Sequence, residues 1–289
     1  MPLPSAPRAS VDKRSPEVFL NHVYVVLDER SFEAVRAASS FLRERFARID
    51  RGLPSFDPPR PDDQAWYVRG ENTYLEIFGP RNRYGEVPGR VGVGFGVERP
   101  GALLDLFVAS QREGLAVAYD LGFVDFDVER PFPWKYNLTV KAEAPGARFA
   151  FWTAEYHPAL TATLFPGRPS AGGVRRRDFL GPNYDPRRLL RDVVGLRLAL
   201  GPPSLDALTR HLRAAGYRAR SAGGAVAMEG PGVTITLEPA PAVAEGLRAL
   251  ELRLNAAPSA AEAEHTLGAS SLRLAAEQGV WTFEPPSGG

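Results

Sequence analysis

The chain has 289 residues, with 35 basic against 34 acidic side chains and a formal net charge of +1. That balance supplies no long-range field for a polyanion, so nucleic acid and anionic membranes are disfavoured as partners. The absence of cysteine removes disulfides, thiolate metal sites and a cysteine nucleophile; with no apolar run of membrane-spanning length and no signal-peptide core, a soluble, cytoplasmic protein is expected.

Residues 1–17 are rich in Pro, Ser and Arg and read as a flexible lead-in. Phe19 to Asp28 is apolar enough for an interior strand, yet carries His22 in mid-run. Asp28 to Ser31 then offers helix N-caps, and Phe32, Val35, Phe41, Leu42, Phe46 and Ile49 follow at helical spacing through about Arg48. Gly52 to Pro61 is a loop. Two strands follow, Ala65–Arg69 and Thr73–Phe78, the second carrying Glu76 among apolar neighbours. By strand alternation His22 shares a face with Leu20, Tyr24 and Val26, and Glu76 shares one with Tyr74 and Phe78.

The same order of elements returns. Arg90–Val97 is a strand, Pro100-Gly101 opens a helix to about Gln111, and Phe123–Val128, Trp134–Val140 and Arg148–Tyr156 are strands. Residues 168–191, dense in Arg, Pro and Gly, read as a linker. Beyond it come a strand at Val193–Leu200, a helix from Pro203-Ser204 closed by Gly216, and strands at Tyr217–Ser221, Ala225–Glu229 and Val233–Glu238. Leu247–Leu254, a brief crossover from Pro258 to His265, and strands at Leu267–Leu274 and Val280–Phe283 complete a fourth unit. The expected fold class is therefore α+β, with four strand–helix–strand–strand–strand (βαβββ) units in tandem. The pairs occupy residues 18–167 and 192–285, followed by a tail at 286–289.

This order, with Asn21-His22-Val23-Tyr24-Val25-Val26 as a first strand and Tyr74-Leu75-Glu76-Ile77-Phe78 as a last one, resembles the vicinal oxygen chelate superfamily of glyoxalases, extradiol dioxygenases and bleomycin-resistance proteins. Phe19–Asp28, Asn72–Pro80, Trp134–Tyr136 and Ala154–Pro158 are further similar to a little-characterised bacterial family within or near it. The resemblance implies that each pair of units curls into a half-open barrel, with metal ligands on first and last strands. Carried over by position, it implies His22, Glu76 and Glu155 as ligands of a divalent ion, which would be Fe, Mn, Zn, Ni or Co, or no metal at all. Glu76, Glu155 and Tyr24 would then serve catalysis, and Tyr24, Tyr67, Tyr74, Phe95, Trp134, Tyr136 and His157 would contact substrate.

The second unit's first strand, Val91-Gly92-Val93-Gly94-Phe95-Gly96-Val97, departs from the pattern: where a ligand is expected it offers glycine and apolar side chains. Those glycines would open room for a bulky ligand. Each candidate also has a plainer reading. His22 could be a core histidine bonded to a neighbour, Glu76 could be neutralised by Arg69 or Arg90, Glu155 could sit on a rim, and Lys135 could be an exposed strand lysine. Two functions follow. One is a metal-dependent enzyme that polarises an oxygen of a small organic substrate, giving isomerase, lyase or oxygenase chemistry. The other is a metal-free binding or resistance protein using the same cavity. The C-terminal pair, which lacks an equivalent set, would cover the first pair or join two copies in a homodimer; a monomer is equally compatible.

Overall fold

The computed structural model describes residues 16–124, 131–140, 147–165 and 173–284. Among these, two eight-stranded mixed sheets are built from four βαβββ-type units, the α+β arrangement that the order of elements predicts. The first sheet has the strand order β2-β3-β4-β1-β5-β8-β7-β6. Its unit one comprises β1 (Val18–Val26), α1 (Glu29–Ala37), the short turn α2 (Ser39–Phe41), β2 (Arg48–Asp50), β3 (Ala65–Arg69) and β4 (Tyr74–Phe78). Unit two comprises β5 (Val91–Val97), α3 (Ala102–Arg112), β6 (Val117–Val124), β7 (Phe132–Val140) and β8 (Phe149–Tyr156). Strand β1 lies parallel to β4 and antiparallel to β5, so the two first strands meet at the centre of the sheet.

The connections are α4 (Pro158–Leu164) and α5 (Arg176–Leu180), and the second sheet repeats the plan. It contains β9 (Leu190–Leu200), α6 (Pro202–Ala214), β10 (Arg218–Ala222), β11 (Ala225–Gly230), β12 (Val233–Pro239), β13 (Gly246–Leu254), β14 (Glu264–Leu267), β15 (Ser270–Ala275) and β16 (Gln278–Phe283). Unit four has only a 3-10 turn, Ala260–Glu262, where the others have a helix.

Local chemistry explains most boundaries. Asp28 starts α1 by accepting the Ser31 amide proton at 2.7 Å. The helix expected to run to Arg48 instead ends at Ala37, continues as a wider turn over Leu42–Phe46, and gives way to the edge strand β2. Phe46 and Ile49 sit at a spacing that a helix or a turn followed by a strand can bury equally, which is why periodicity alone misses β2. Strand β6 begins at Val117, six positions before Phe123, because Gly114 closes α3 and a strand can restart at once; the expected end of that strand, at Val128, lies outside the described residues. Unit four folds into three outer strands rather than the expected merger of β14 with β15, because Gly268, at φ 67°, makes a tight turn between them.

The alternation of β1 is broken once. Its pairing with β5 is irregular between Leu20 and His22, so Leu20 joins Val23 and Val25 in the core while Asn21 and His22 both face the opposite side. Leu20 therefore does not share the His22 face, as uniform alternation predicts.

One apolar core runs through both halves, from Val23, Val93 and Leu106 to Leu196, Leu208 and Leu250. His211 of α6 is fully buried against the first sheet, its Nε2 at 2.9 Å from Thr153 Oγ1 and its ring 5.3 Å from that of Phe151. Tyr217 donates to the carbonyl of Val18 at 3.1 Å. The carboxylate of Asp192 accepts from the amides of Asn72 and Thr73 at 2.8 and 2.9 Å, from Asn72 Nδ2 at 3.0 Å and from Thr73 Oγ1 at 2.9 Å. The described part of the Arg-rich stretch is packed as well: Val174, Phe179 and Leu180 join Tyr24, Phe78 and Tyr156 in a second apolar cluster over the open face of the first sheet.

Candidate functional site

The open face of the first sheet and the segments above it enclose a cavity of about 590 Å³. Its floor is the inner face of β1, β4 and β8. Tyr74 stacks on His22 with ring centroids 4.6 Å apart, Trp152 lies 5.2 Å from the same imidazole, and Tyr24 stacks against Phe78 at 5.6 Å. Tyr67 and Trp134 extend the aromatic wall, and Leu53, Pro54 and Phe179 form the roof. Such a wall presents large apolar faces that favour a flat molecule of small size.

The structure brings His22, Glu76 and Lys135 together on this cavity. His22 is buried; its Nδ1 donates to Asn21 Oδ1 at 2.8 Å, and that oxygen also accepts from the Tyr156 hydroxyl at 3.2 Å. The imidazole is thereby fixed with Nε2 as the lone-pair nitrogen. Burial, then the charges of Lys135 and Arg69, hold its pKa well below the ordinary value, so the ring is neutral.

Glu76 is half-buried, and the arginines that could neutralise it are committed elsewhere. Arg69 makes a buried bidentate pair with Asp50, with both nitrogen–oxygen distances 2.7 Å, and its guanidinium lies 5.0 Å above the Tyr74 ring. Arg90 pairs with Glu86 at 2.9 Å and reaches the Tyr24 hydroxyl at 3.2 Å. Left largely to desolvation, the Glu76 carboxyl is pushed up to about 7, against the opposing attraction of Arg69 and Lys135. Lys135 moves the other way: burial pulls its ammonium down to about 8, against the attraction of Glu76 and Asp120. A carboxyl and an amine that both titrate near neutrality in one cavity are the components of acid–base chemistry.

Other residues expected at the site lie elsewhere. Glu155 is on the opposite face of β8 from Trp152 and Tyr156; its two oxygens accept from the amides of Gly101 and Leu103 at 2.9 and 3.3 Å, capping α3. Tyr136 turns away from the cavity, stacking on Tyr119 at 6.0 Å, and His157 caps α4 by accepting the Ala159 amide proton at 3.1 Å. Phe95 borders the cavity but packs its ring toward His211 and Tyr217 in the core. Residues that pattern reading passed over include Asn21, Trp152 and Tyr156. The alternation of β8 carries the signal for the last two, since choosing Glu155 as the inward residue places both on the wrong face.

The glycines of β5 do not open space for a ligand. A Cβ on Gly94 would overlap the His22 imidazole, and one on Gly92 would overlap the Tyr24 ring. The space beside Gly94 is filled by the ring of His22 itself. Among the described residues no three His, Cys, Asp or Glu side chains converge on one point. With Glu155 capping a helix and the charges of Lys135 and Arg69 acting on His22, the donor set does not fit a resident divalent ion. No helix among the described residues is long and apolar enough to cross a membrane.

Several solved structures are similar to the chain at low identity. A hypothetical protein from Staphylococcus aureus is similar with a TM-score of 0.48 and 7% identity, over 78% of this chain and 87% of that one. An extradiol ring-cleaving dioxygenase from B. fuscum is similar with a TM-score of 0.42 and 14% identity, over 78% of this chain and 55% of that one, so the chain spans about half of that enzyme. The Mn(II)-bound glyoxalase from Novosphingobium aromaticivorans is similar with a TM-score of 0.41 and 11% identity, over 81% of this chain and 64% of that one. No curated protein matches the chain. A family model does: it matches residues 20–283, nearly the whole of the paired-unit architecture, and the chain belongs to that family, the family of unknown function DUF5829.

Proposed function

We propose that the cavity of the first half is an active site for a small planar organic molecule, and that it works by proton transfer at Glu76 without a resident metal. The observation that carries this reading is the setting of Glu76: a carboxyl on the floor of an aromatic cavity, hydrogen-bonded to Tyr74 yet outside every ion pair among the described residues, with its ionisation moved to about 7. A carboxyl so placed takes a proton from carbon or oxygen near neutral pH and returns it to another atom of the same molecule, the chemistry of isomerases, or delivers it to a group that departs as its bond to the neighbouring carbon breaks, the chemistry of lyases. The neutral His22, with Nε2 as acceptor, orients a hydroxyl of the bound molecule. The Lys135 ammonium supplies positive charge to an oxygen on which negative charge develops. Phe179 and Pro54 add apolar surface to the same cavity.

The test is solvent deuterium incorporation into a panel of small aromatic carbonyl compounds, followed by proton NMR. The expected result is enzyme-dependent exchange that survives exhaustive dialysis against EDTA and falls by about 10²–10⁴ in Glu76→Gln, while quenching of tryptophan fluorescence by the same compound persists in that variant. Exchange that disappears with EDTA and returns with a divalent ion would restore the metal-dependent reading. Quenching without exchange by any compound would leave the second reading, a metal-free binding or resistance protein, which the intact stack of Tyr24, Tyr74 and Trp152 around the cavity favours independently of Glu76.

A further inference from the structure

Lys135 is one of three lysines in the chain. Its Nζ lies 4.2 Å from the ring centroid of Trp134 and 5.9 Å from that of Trp152, so the ammonium is held between two indoles on the cavity wall. It belongs to none of the ion pairs among the described residues. An ammonium withdrawn from water costs free energy unless an anion or several hydrogen-bond acceptors face it, and two ring faces repay only part of that.

The neighbouring polar groups are short of acceptors too. Trp134 Nε1 and Asn21 Nδ2, both on cavity-lining residues, are buried donors with no hydrogen-bond partner. Arg83, also lining the cavity, donates to the Tyr84 hydroxyl at 2.9 Å and pairs with no carboxylate among the described residues. The negative side of the balance is short. Asp50 neutralises Arg69, and Glu86 is taken by Arg90. Of the cavity-lining carboxylates only Glu76 is left among the described residues to face Lys135 and Arg83, with Asp120 attracting Lys135 from outside the lining. The cavity lining therefore carries more positive charge than its unpaired carboxylate balances, and two of its buried donors lack an acceptor.

We propose that the molecule bound here is an organic acid, with its anionic group held by the Lys135 ammonium and its planar body against the His22–Tyr74–Trp152 wall. This rests on the proposed binding of a planar molecule in the cavity and adds its charge. A cationic ligand is disfavoured by the same balance, and a neutral one leaves the ammonium unpartnered.

Three probes of one shape separate these possibilities: benzoate, benzamide and benzamidine, carrying negative, no and positive charge. Each is titrated against the full chain at pH 7 by tryptophan fluorescence, with Trp134 and Trp152 as reporters at the cavity wall. The expected result is that benzoate binds about tenfold or more tighter than benzamide and that benzamidine does not bind. In Lys135→Met the benzoate preference is lost while benzamide affinity stays the same, and in Lys135→Arg the preference is kept. A thermal melt of each variant confirms folding, and Lys135→Met is expected to melt no lower than wild type, since it removes a desolvated charge. Equal or tighter binding of benzamide than of benzoate by wild type overturns the proposal and leaves the cavity reading intact. Failure of all three probes to bind overturns both. A benzoate preference unchanged in Lys135→Met assigns the anion to another group and overturns the role of Lys135.

Discussion

Glu76 is a side chain whose ionisation opposes folding. In the unfolded chain its carboxyl titrates near the ordinary value of 4.5, and in the folded chain at about 7. Between those values the folded state holds a proton that the unfolded state has released, so stability falls as pH rises through this window and the loss is complete above it. Glu76→Gln removes that dependence. The variant is expected to match wild type near pH 4.5 and to exceed it by on the order of 2 kcal/mol at pH 8, measured by urea denaturation at the two pH values. Part of the gross gain is offset because Lys135 loses the attraction of Glu76. A variant equally stable relative to wild type at both pH values would show that the carboxyl is hydrated in the folded chain. The same residue thus joins a stability cost to the proposed chemistry, as groups tuned away from their ordinary ionisation often do.

At the scale of elements, the β1–β5 pair sets what the cavity can contain. His22 lies over Gly94 and Tyr24 over Gly92, so two strands share the space that one ring and one side chain on each would need. Gly94→Ala is expected to cost on the order of 2–3 kcal/mol through overpacking, and His22→Ala to recover most of that loss when the two are combined. Denaturation of the four members of the cycle measures the coupling; additive effects would show that the imidazole moves aside freely. This pair also shows how far sequence patterns reach. The order of strands and helices follows from apolar periodicity, and His22 and Glu76 stand out as two polar residues in apolar strands. The irregularity at Asn21 leaves no trace in that periodicity, because Leu20 and Val23 are apolar under either phase. Glu155 was an attractive ligand for the same reason: a carboxylate late in a strand is equally suited to a cavity or to the N-terminus of the next helix, and only the phase of β8 decides. Lys135 stands between Trp134 and Tyr136 in the sequence, but its lack of an ion-pair partner among the described residues is a property of distant strands.

At the scale of the molecule, the halves are coupled through a common core and through Asp192. Its carboxylate holds the turn between β3 and β4 by four hydrogen bonds from Asn72 and Thr73, and Val193 donates back to Thr73 Oγ1 at 2.9 Å. Asp192→Ala leaves those donors without their acceptor and is expected to cost about 2–4 kcal/mol, with one cooperative transition retained in calorimetry because the apolar core still spans both sheets. A melt that splits into two transitions would show that the polar contact, rather than the core, makes the halves one folding unit. The C-terminal half therefore has a structural task even without a histidine and a buried carboxyl on its own open face. It packs against the face of the first sheet opposite the cavity.

The seating of His22 over Gly94 also bears on descent. A lineage beginning at this sequence cannot acquire a metal-binding side chain at position 94 by one substitution, because the ring at position 22 already occupies the volume the new side chain would need. Withdrawing the ring first removes the only imidazole among the described residues that line the cavity. Each order of change passes through an ancestor poorer than its parent in either packing or donors, so the two positions are expected to vary together across descendants.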